Sequence, residues 1–314
     1  MSLSRRRFIT IAAGSVLAAR PGRAATEDGA RWRGVALGAE ADLRIVGMPR
    51  MHAQKLIAIA RAEIERLEKQ FSLYRQDSAL VALNNSGFLR DPSPDMLELL
   101  GMAGSVHAAS AGMFDPTIQP LWKVYAENRG APPGGEIETA LGKTGWRKVD
   151  ISSSIVRLPD GGGLTLNGIA QGFITDKVVA LLKSHGLQHA LVNIGEISAV
   201  GRPSGLDAWP VQLDAPGSAR RMIGLCDRAV ATSGAMGTTL DGGGTVSHIL
   251  DPRHGQPAPS LWQRVSVQHG SAALADGLST AGVLMSSDEL TALAGQFDDV
   301  SVDAISREGE PLLL

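Results

Sequence analysis

Asp276 and Thr280 stand four residues apart in the run ADGLSTAGVLM. Residues i and i+4 share one face of a helix, so this carboxylate and this hydroxyl converge if the run is helical. Oxygen donors of that kind suit a hard divalent cation such as Mg2+. The plainer alternative is an acid near a helix start, answering the helix dipole. His248, in SHILDP, lies on a stretch that reads as extended. A neutral imidazole there can take a proton near neutral pH, or can serve structure alone. Asp115, in FDPT, is either a functional carboxylate or a cap on the turn that Pro116 opens. Residues 164–201 hold a further feature. A short apolar strand, Leu164–Leu166, runs into the turn Asn167–Gly168, then a helix over about 169–183, then a second strand, Ala190–Ile194, ending at Gly195. Strand, turn and helix start in that order aim backbone N–H groups at an anion, although the same order occurs in turns with no ligand.

The elements that must position these residues are legible in outline. Met51–Phe71 is the clearest helix, with Ala60, Ile64, Leu67 and Phe71 at helical spacing. Asp91-Pro92-Ser93-Pro94 breaks the chain and makes Ser93 the expected N-cap of a helix over 94–110. In the central helix, Val178, Leu181 and Leu182 form the apolar face, and His185–Gly186 supplies the stop. A helix is expected over Ala272–Met285, carrying Asp276 and Thr280. Strands are expected at 34–46, 148–151, 155–158, 211–213, 222–225, 230–234 and 265–268, with 247–250 extended and 300–305 and 311–314 as a closing hairpin. Helices and strands mix without strict alternation, which is α+β. No internal repeat shows in the sequence.

With 314 residues the chain can bury a substantial core. Aromatic residues make up only 4% of it, which excludes a stacking platform for nucleic acid. The N-terminus reads as a twin-arginine export signal: Ser4-Arg5-Arg6-Arg7-Phe8-Ile9, an apolar run to Ala19 too short to span a bilayer, and a small-x-small cleavage site at Gly22-Arg23-Ala24. Removing residues 1–24 removes five arginines and no acid. That leaves 25 basic residues against 32 acidic and takes the net charge from −2 to −7, a poor match to DNA or an anionic membrane. Cys226 is the only cysteine, so no disulfide framework exists. The expectation is a soluble periplasmic protein.

Five stretches, in order, resemble the ApbE family of FAD:protein FMN transferases: FSLYRQDSALVALN (71–84), GMFDPTIQPLW (112–122), the central 164–201, ATSGAMGTT…SHILDPRHGQP (231–257) and ADGLSTAGVLM (275–285). The set spans about residues 32–314. The resemblance implies a duplicated β-α-β sandwich in one compact domain over 25–314. It implies a metal site of Asp276 and Thr280 with the backbone carbonyl of Gly168. Ser279 stands where many relatives have a second aspartate, which lowers the charge of that site. It makes His248 the candidate general base, with Asp115 and Asp251 as competitors. It lays Leu37, Tyr74, Met113, Phe114, Asp115, Thr165, Gln171 and Leu250 along the flavin nucleotide; for Tyr74 the alternative is packing against Phe71. Four positions depart from the usual family pattern: Leu37 for a methionine, Thr165 for an acid, Gln171 for Lys or Glu, and Gly195-Glu196 for a doubled glycine. The implied reaction uses Mg2+ and FAD, moves FMN to a Ser or Thr hydroxyl of an acceptor protein, and releases AMP. A respiratory electron-transfer protein is one such acceptor, and the export signal with the variant motif points to a subgroup serving nitrous-oxide respiration. Water in place of the hydroxyl gives an FAD pyrophosphatase, and no reaction at all gives a flavin-binding protein.

Overall fold

The computed structural model describes residues 28–214 and 220–314. The expected export signal over 1–24 lies outside the described residues. Two strands, β1 (Gly29–Ala36) and β2 (Ala39–Val46), open the fold. They are a hairpin where one strand over 34–46 was expected. Leu37 and Gly38 both take positive φ, +48° and +83°, the two-residue turn that suits strand twist. The only sequence cue for it is one glycine. Helix α1 (Arg50–Phe71) follows, then α2 (Ala79–Ser86), β3 (Phe88–Arg90) and α3 (Pro94–Ala109). Ser93 caps α3 as expected, accepting from the Met96 N–H. A 3-10 turn at Pro116–Ile118 leads into α4 (Gln119–Glu127), then α5 (Gly134–Leu141) and a small hairpin, β4 (Asp150–Ile151) and β5 (Ile155–Arg157).

The central stretch gives α6 (Ala170–Ser184), β6 (Ala190–Ile194) and β7 (Ile197–Val200). After it come β8 (Trp209–Leu213), β9 (Arg221–Leu225), β10 (Ala229–Ser233) and β11 (Trp262–His269). Helices α7 (Ala272–Gly282) and α8 (Ser287–Ala294) and strands β12 (Ser301–Ser306) and β13 (Pro311–Leu313) close the chain. Helices α4 and α8 were not expected from the sequence.

Eight strands form one antiparallel sheet in the order β1-β2-β6-β7-β10-β11-β12-β13. Its two halves repeat a pattern: hairpin, helices, hairpin. They join where β7 pairs with β10. This is the duplication that the sequence hides, because the insertion between α1 and α6 is long and the one between α7 and α8 is short. Along β6 the side chains alternate. Ala190, Val192 and Ile194 enter the main core with α1, α6 and α7, while Leu191 packs on the far face with Trp209, Val211 and Leu225 of the β8–β9 hairpin. Arg221 of that hairpin pairs with Asp303 of β12, which also holds the fully buried Arg264. A third, smaller core gathers Leu121, Tyr125, Ala140 and Leu250, so α4 and α5 pack against the loop that returns through residues 240–257.

Leu164–Leu166 is not a strand. Its backbone polar groups are satisfied by Asn84, whose side chain donates to the Leu164 carbonyl at 2.8 Å and accepts from its N–H at 2.7 Å. The Thr165 N–H bonds the Pro116 carbonyl. Two buried leucines and borrowed partners hold the segment straight without a ladder. Residues 247–250, expected to be extended, bend at His248 and Ile249 and hold only isolated bridges, Thr239 to Ser247 and Leu250 to Pro257.

Candidate functional site

Helix α7 crosses α6 near the N-terminal ends of both. They meet at Gly172: a Cβ there would stand 2.2 Å from the Ala272 carbonyl oxygen. The crossing brings the Asp276 carboxylate to the first turn of α6, where its Oδ2 accepts the Gly172 N–H at 3.2 Å. No side chain of its own caps that helix start, because the residue before it is Ile169. One turn further along α7, Thr280 faces the Asn167–Gly168 turn. A Cβ on Gly168 would lie 3.0 Å from Thr280 Oγ1 and 3.3 Å from Phe114. The expected Asp276, Thr280 and Gly168 therefore share one corner of the fold, and a side chain at position 168 would press on Thr280.

Ser279 is fully buried beside them. Its hydroxyl donates to the Asp276 carbonyl at 3.0 Å and lies 2.8 Å from Ser233 Oγ, which is also 3.4 Å from Thr280 Oγ1. Ser233, at the end of β10, was not anticipated, and neither was Glu196. Burial drives the Glu196 carboxyl well above its usual range; the Asp276 charge adds to the shift and the Thr232 N–H opposes it. Burial pushes Asp276 up to about 7, against the Gly172 N–H and with the charge of Asp176. Charge is thus held here at a cost, which a cation would offset. Among the described residues no three His, Cys, Asp or Glu side chains gather as a metal-binding group. The donor set is one carboxylate with neutral hydroxyl and carbonyl oxygens, which fits Mg2+ bound partly by its own ligand's phosphates.

His248 lies near the end of β10. Its Nδ1 lies 2.9 Å from the Thr238 carbonyl, an acceptor, so Nδ1 carries the proton and Nε2 keeps its lone pair in the neutral ring. Burial lowers the ring's pKa, while the carbonyls of Thr238 and Ala235 raise it, and burial wins. Ala235 is two residues beyond Ser233, so the imidazole and the hydroxyl pair of Ser233 and Thr280 converge at the end of β10. The competing carboxylates are committed. Asp251 accepts from the Arg253 backbone N–H and guanidinium; burial would raise its pKa, but Arg253 takes it below the carboxylate norm. Asp115 caps the 3-10 turn through Thr117.

The expected nucleotide-facing residues divide. Tyr74 is 41% exposed, lies beside Gly38 in the β1–β2 turn and hydrogen-bonds the Asn167 side chain. It does not pack on Phe71, whose ring instead meets Phe173 edge-on at 5.6 Å. Leu37 donates its N–H to Glu68 in the same turn. Leu37, Tyr74, Asn167, Gly168 and Phe114 thus form a continuous rim. Met113 and Phe114 are buried in the main core. Thr165 accepts from the Asn167 N–H at 3.3 Å, and Gln171 lies over Gly195, where a Cβ would stand 2.5 Å from its amide carbon. Leu250 is apart from these, its side chain filling the small core of α4 and α5.

Known proteins resemble this chain in sequence and fold. The model of the ApbE family matches residues 37–304. A protein of Treponema pallidum named FAD:protein FMN transferase is 30% identical over 76% of this chain and 73% of its own. One of Vibrio cholerae with the same name is 28% identical over 83% of each. Among solved structures, a flavinyl transferase ApbE of Pseudomonas stutzeri superposes with a TM-score of 0.80 at 28% identity, covering 92% of this chain and 95% of that one. The ApbE protein of Thermotoga maritima, at 24% identity, shares the fold with the same TM-score. With a family match across most of its length and with a sheet, helix pair and corner built as described, this chain belongs to the ApbE family.

Proposed function

We propose that this protein is an FAD:protein FMN transferase that uses Mg2+ and acts on a Ser or Thr hydroxyl of an acceptor protein. The observation that carries the reading is the meeting of Asp276, Thr280 and the Gly168 turn at the first turn of α6, with a neutral His248 near the end of β10. Asp276, Thr280 and the Gly168 carbonyl would hold the cation. When bound, Mg2+ supplies neutralisation of the charge that builds on the phosphoryl oxygens.

The remaining work falls to this chain's residues. The acceptor hydroxyl oxygen bonds to the phosphorus of the FMN half of FAD. The bond from that phosphorus to the bridging oxygen breaks, and AMP departs with the bonding pair. His248 Nε2 receives the hydroxyl proton, made available by the Nδ1 bond to Thr238. The rim of Leu37, Tyr74 and Phe114 orients the flavin half. No covalent enzyme intermediate is needed, so catalysis is positioning and charge compensation.

Export by the twin-arginine route and action in the periplasm belong to the same proposal, on the strength of Arg5-Arg6-Arg7 and the short apolar run behind them. The catalytic reading is tested by mass spectrometry after incubation with FAD, Mg2+ and an acceptor domain. Acceptor heavier by one FMN, with AMP released, is expected. Free FMN with unmodified acceptor would assign a pyrophosphatase, and intact FAD would assign a flavin-binding protein.

A further inference from the structure

Asp176 has no place in the chemistry above, yet its carboxylate accepts three hydrogen bonds. It lies on α6 four residues after Gly172, on the same face. Its Oδ2 accepts from Ser271 Oγ at 2.6 Å and from the Ala273 N–H at 3.0 Å; its Oδ1 accepts the Ala272 N–H at 2.8 Å. These are the first two amides of α7. The third, Leu274 N–H, is taken at 3.3 Å by the helix's own N-cap, Ser271. The start of α7 is therefore closed largely by a carboxylate from another helix.

The return contact has the same form. Asp276 lies four residues after Ala272 and accepts the Gly172 N–H at the start of α6. Position 172 gives its amide to residue 276, and position 272 gives its amide to residue 176. Each helix offers, one turn in, the acid that closes the other. Gly172 makes this possible, since any side chain there would strike the Ala272 carbonyl. The exchange is lopsided: three bonds run from α7 to Asp176, and one bond of 3.2 Å runs from α6 to Asp276.

We infer that Asp176 is a positioning residue for the cation site: by fixing the start of α7 it sets the height and rotation at which Asp276 and Thr280 meet the Gly168 turn. This rests on the reading of Asp276 and Thr280 as cation ligands. The lever is geometric. One residue of slip along a helix is 1.5 Å of rise and about 100° of rotation, and ligand distances to Mg2+ tolerate only a few tenths of an ångström. Asp276, held by a single amide, cannot restrain the helix alone.

The test is Mn2+ binding to the full protein in the presence of FAD and without acceptor, read by the loss of the free-ion EPR signal and expressed per folded molecule. Three variants separate position from charge. Asp176→Asn keeps one acceptor oxygen, for Ser271 and Ala273, but loses the acceptor for the Ala272 N–H, so it should bind Mn2+ more weakly than wild type and more tightly than Asp176→Ala. Asp176→Glu keeps the charge but adds a methylene, and Asp176→Ala removes the contact; both should weaken Mn2+ binding about tenfold or more. Hydrogen exchange at the Ala272 and Ala273 amides should quicken in the same two variants while the β6 and β11 amides keep their protection. Should Asp176→Ala fail to fold, Asp176→Glu decides. Wild-type Mn2+ affinity in folded Asp176→Glu and Asp176→Ala would overturn the inference. Absence of Mn2+ binding by wild type would instead overturn the cation site itself.

Discussion

A histidine becomes a base when one nitrogen is tied down and the other can receive a proton, and in His248 the Thr238 carbonyl ties Nδ1. The sequence places this ring on an extended stretch; the structure adds the Thr238 carbonyl, ten residues away, that settles its tautomer. His248→Asn retains a donor for that carbonyl but has no lone pair to offer as a base. Single-turnover FMN transfer should fall roughly 10²–10⁴-fold, while FAD affinity and Tm stay near wild type. A transfer rate close to wild type would remove His248 from the mechanism. For Asp276 the telling quantity is the pH dependence of stability in EDTA. Its folded pKa is about 7 against an ordinary 3.8. Between those values the unfolded chain has released the proton that the native state still holds. Stability therefore falls as pH rises through this window, and the full penalty remains above it. Asp276→Asn does not titrate. Its Tm advantage over wild type should open from pH 4 to 7 by several degrees, then level off, and should shrink when Mg2+ is restored. A gap that does not change with pH would mean that the carboxylate is not held against its will.

At the scale of elements, what could be read from the sequence was what local spacing determines. Helix α1 announces itself by four apolar residues on one face, α3 by Ser93, and β6 by a short apolar run buried on both sides. The Asp276–Thr280 spacing was legible for the same reason, since both residues lie on one helix. What escaped depends on contacts distant in sequence. Asn84 replaces a strand partner for Leu164 across 80 residues, and Asp176 closes a helix that begins about a hundred residues later. Ser233 and Glu196 are ordinary residues until the β7–β10 junction places them beside α7. An aspartate four residues after a glycine on the buried face of α6 was a usable cue for the helix crossing. Gly172→Ala measures how tight that crossing is. In an exposed helix this change stabilises by up to about 1 kcal/mol. Here the new Cβ would lie 2.2 Å from backbone oxygen, so we expect a loss of about 1–3 kcal/mol in chemical denaturation and a higher Mg2+ requirement. A gain in stability would show that the helices part at little cost.

At the scale of the whole molecule, the sheet sorts the chain into layers with different duties. The β8–β9 hairpin seals one face, anchored through Asp303 and Arg264, and the helices on the other face carry the cation corner. His248 belongs to neither layer. It is delivered by the loop that rests on the small core of α4 and α5. Among the described residues no helix is long and apolar enough to cross a membrane. The proposed export signal rests on Arg5, Arg6 and Arg7. Replacing all three by lysine should hold the precursor in the cytoplasm, as judged by fractionation and blotting. Efficient periplasmic accumulation of that variant would point to another route.

The reciprocal closure of α6 and α7 also has a meaning in time. A ribosome finishes α6 about a hundred residues before it delivers the start of α7. At roughly 5–20 residues per second, the first turn of α6 waits some seconds with an amide open and Asp176 without its partners. During that interval the nascent chain holds the Gly168 turn, Tyr74 and Phe114, but not the carboxylate or the hydroxyl that would hold the cation. A chain that stalls or is cut short before residue 276 therefore contains most of the mass of the protein and, of the proposed cation site, only the Gly168 turn. Competence arrives late and all at once, when the last forty residues dock. Incomplete copies are left with no means of consuming FAD.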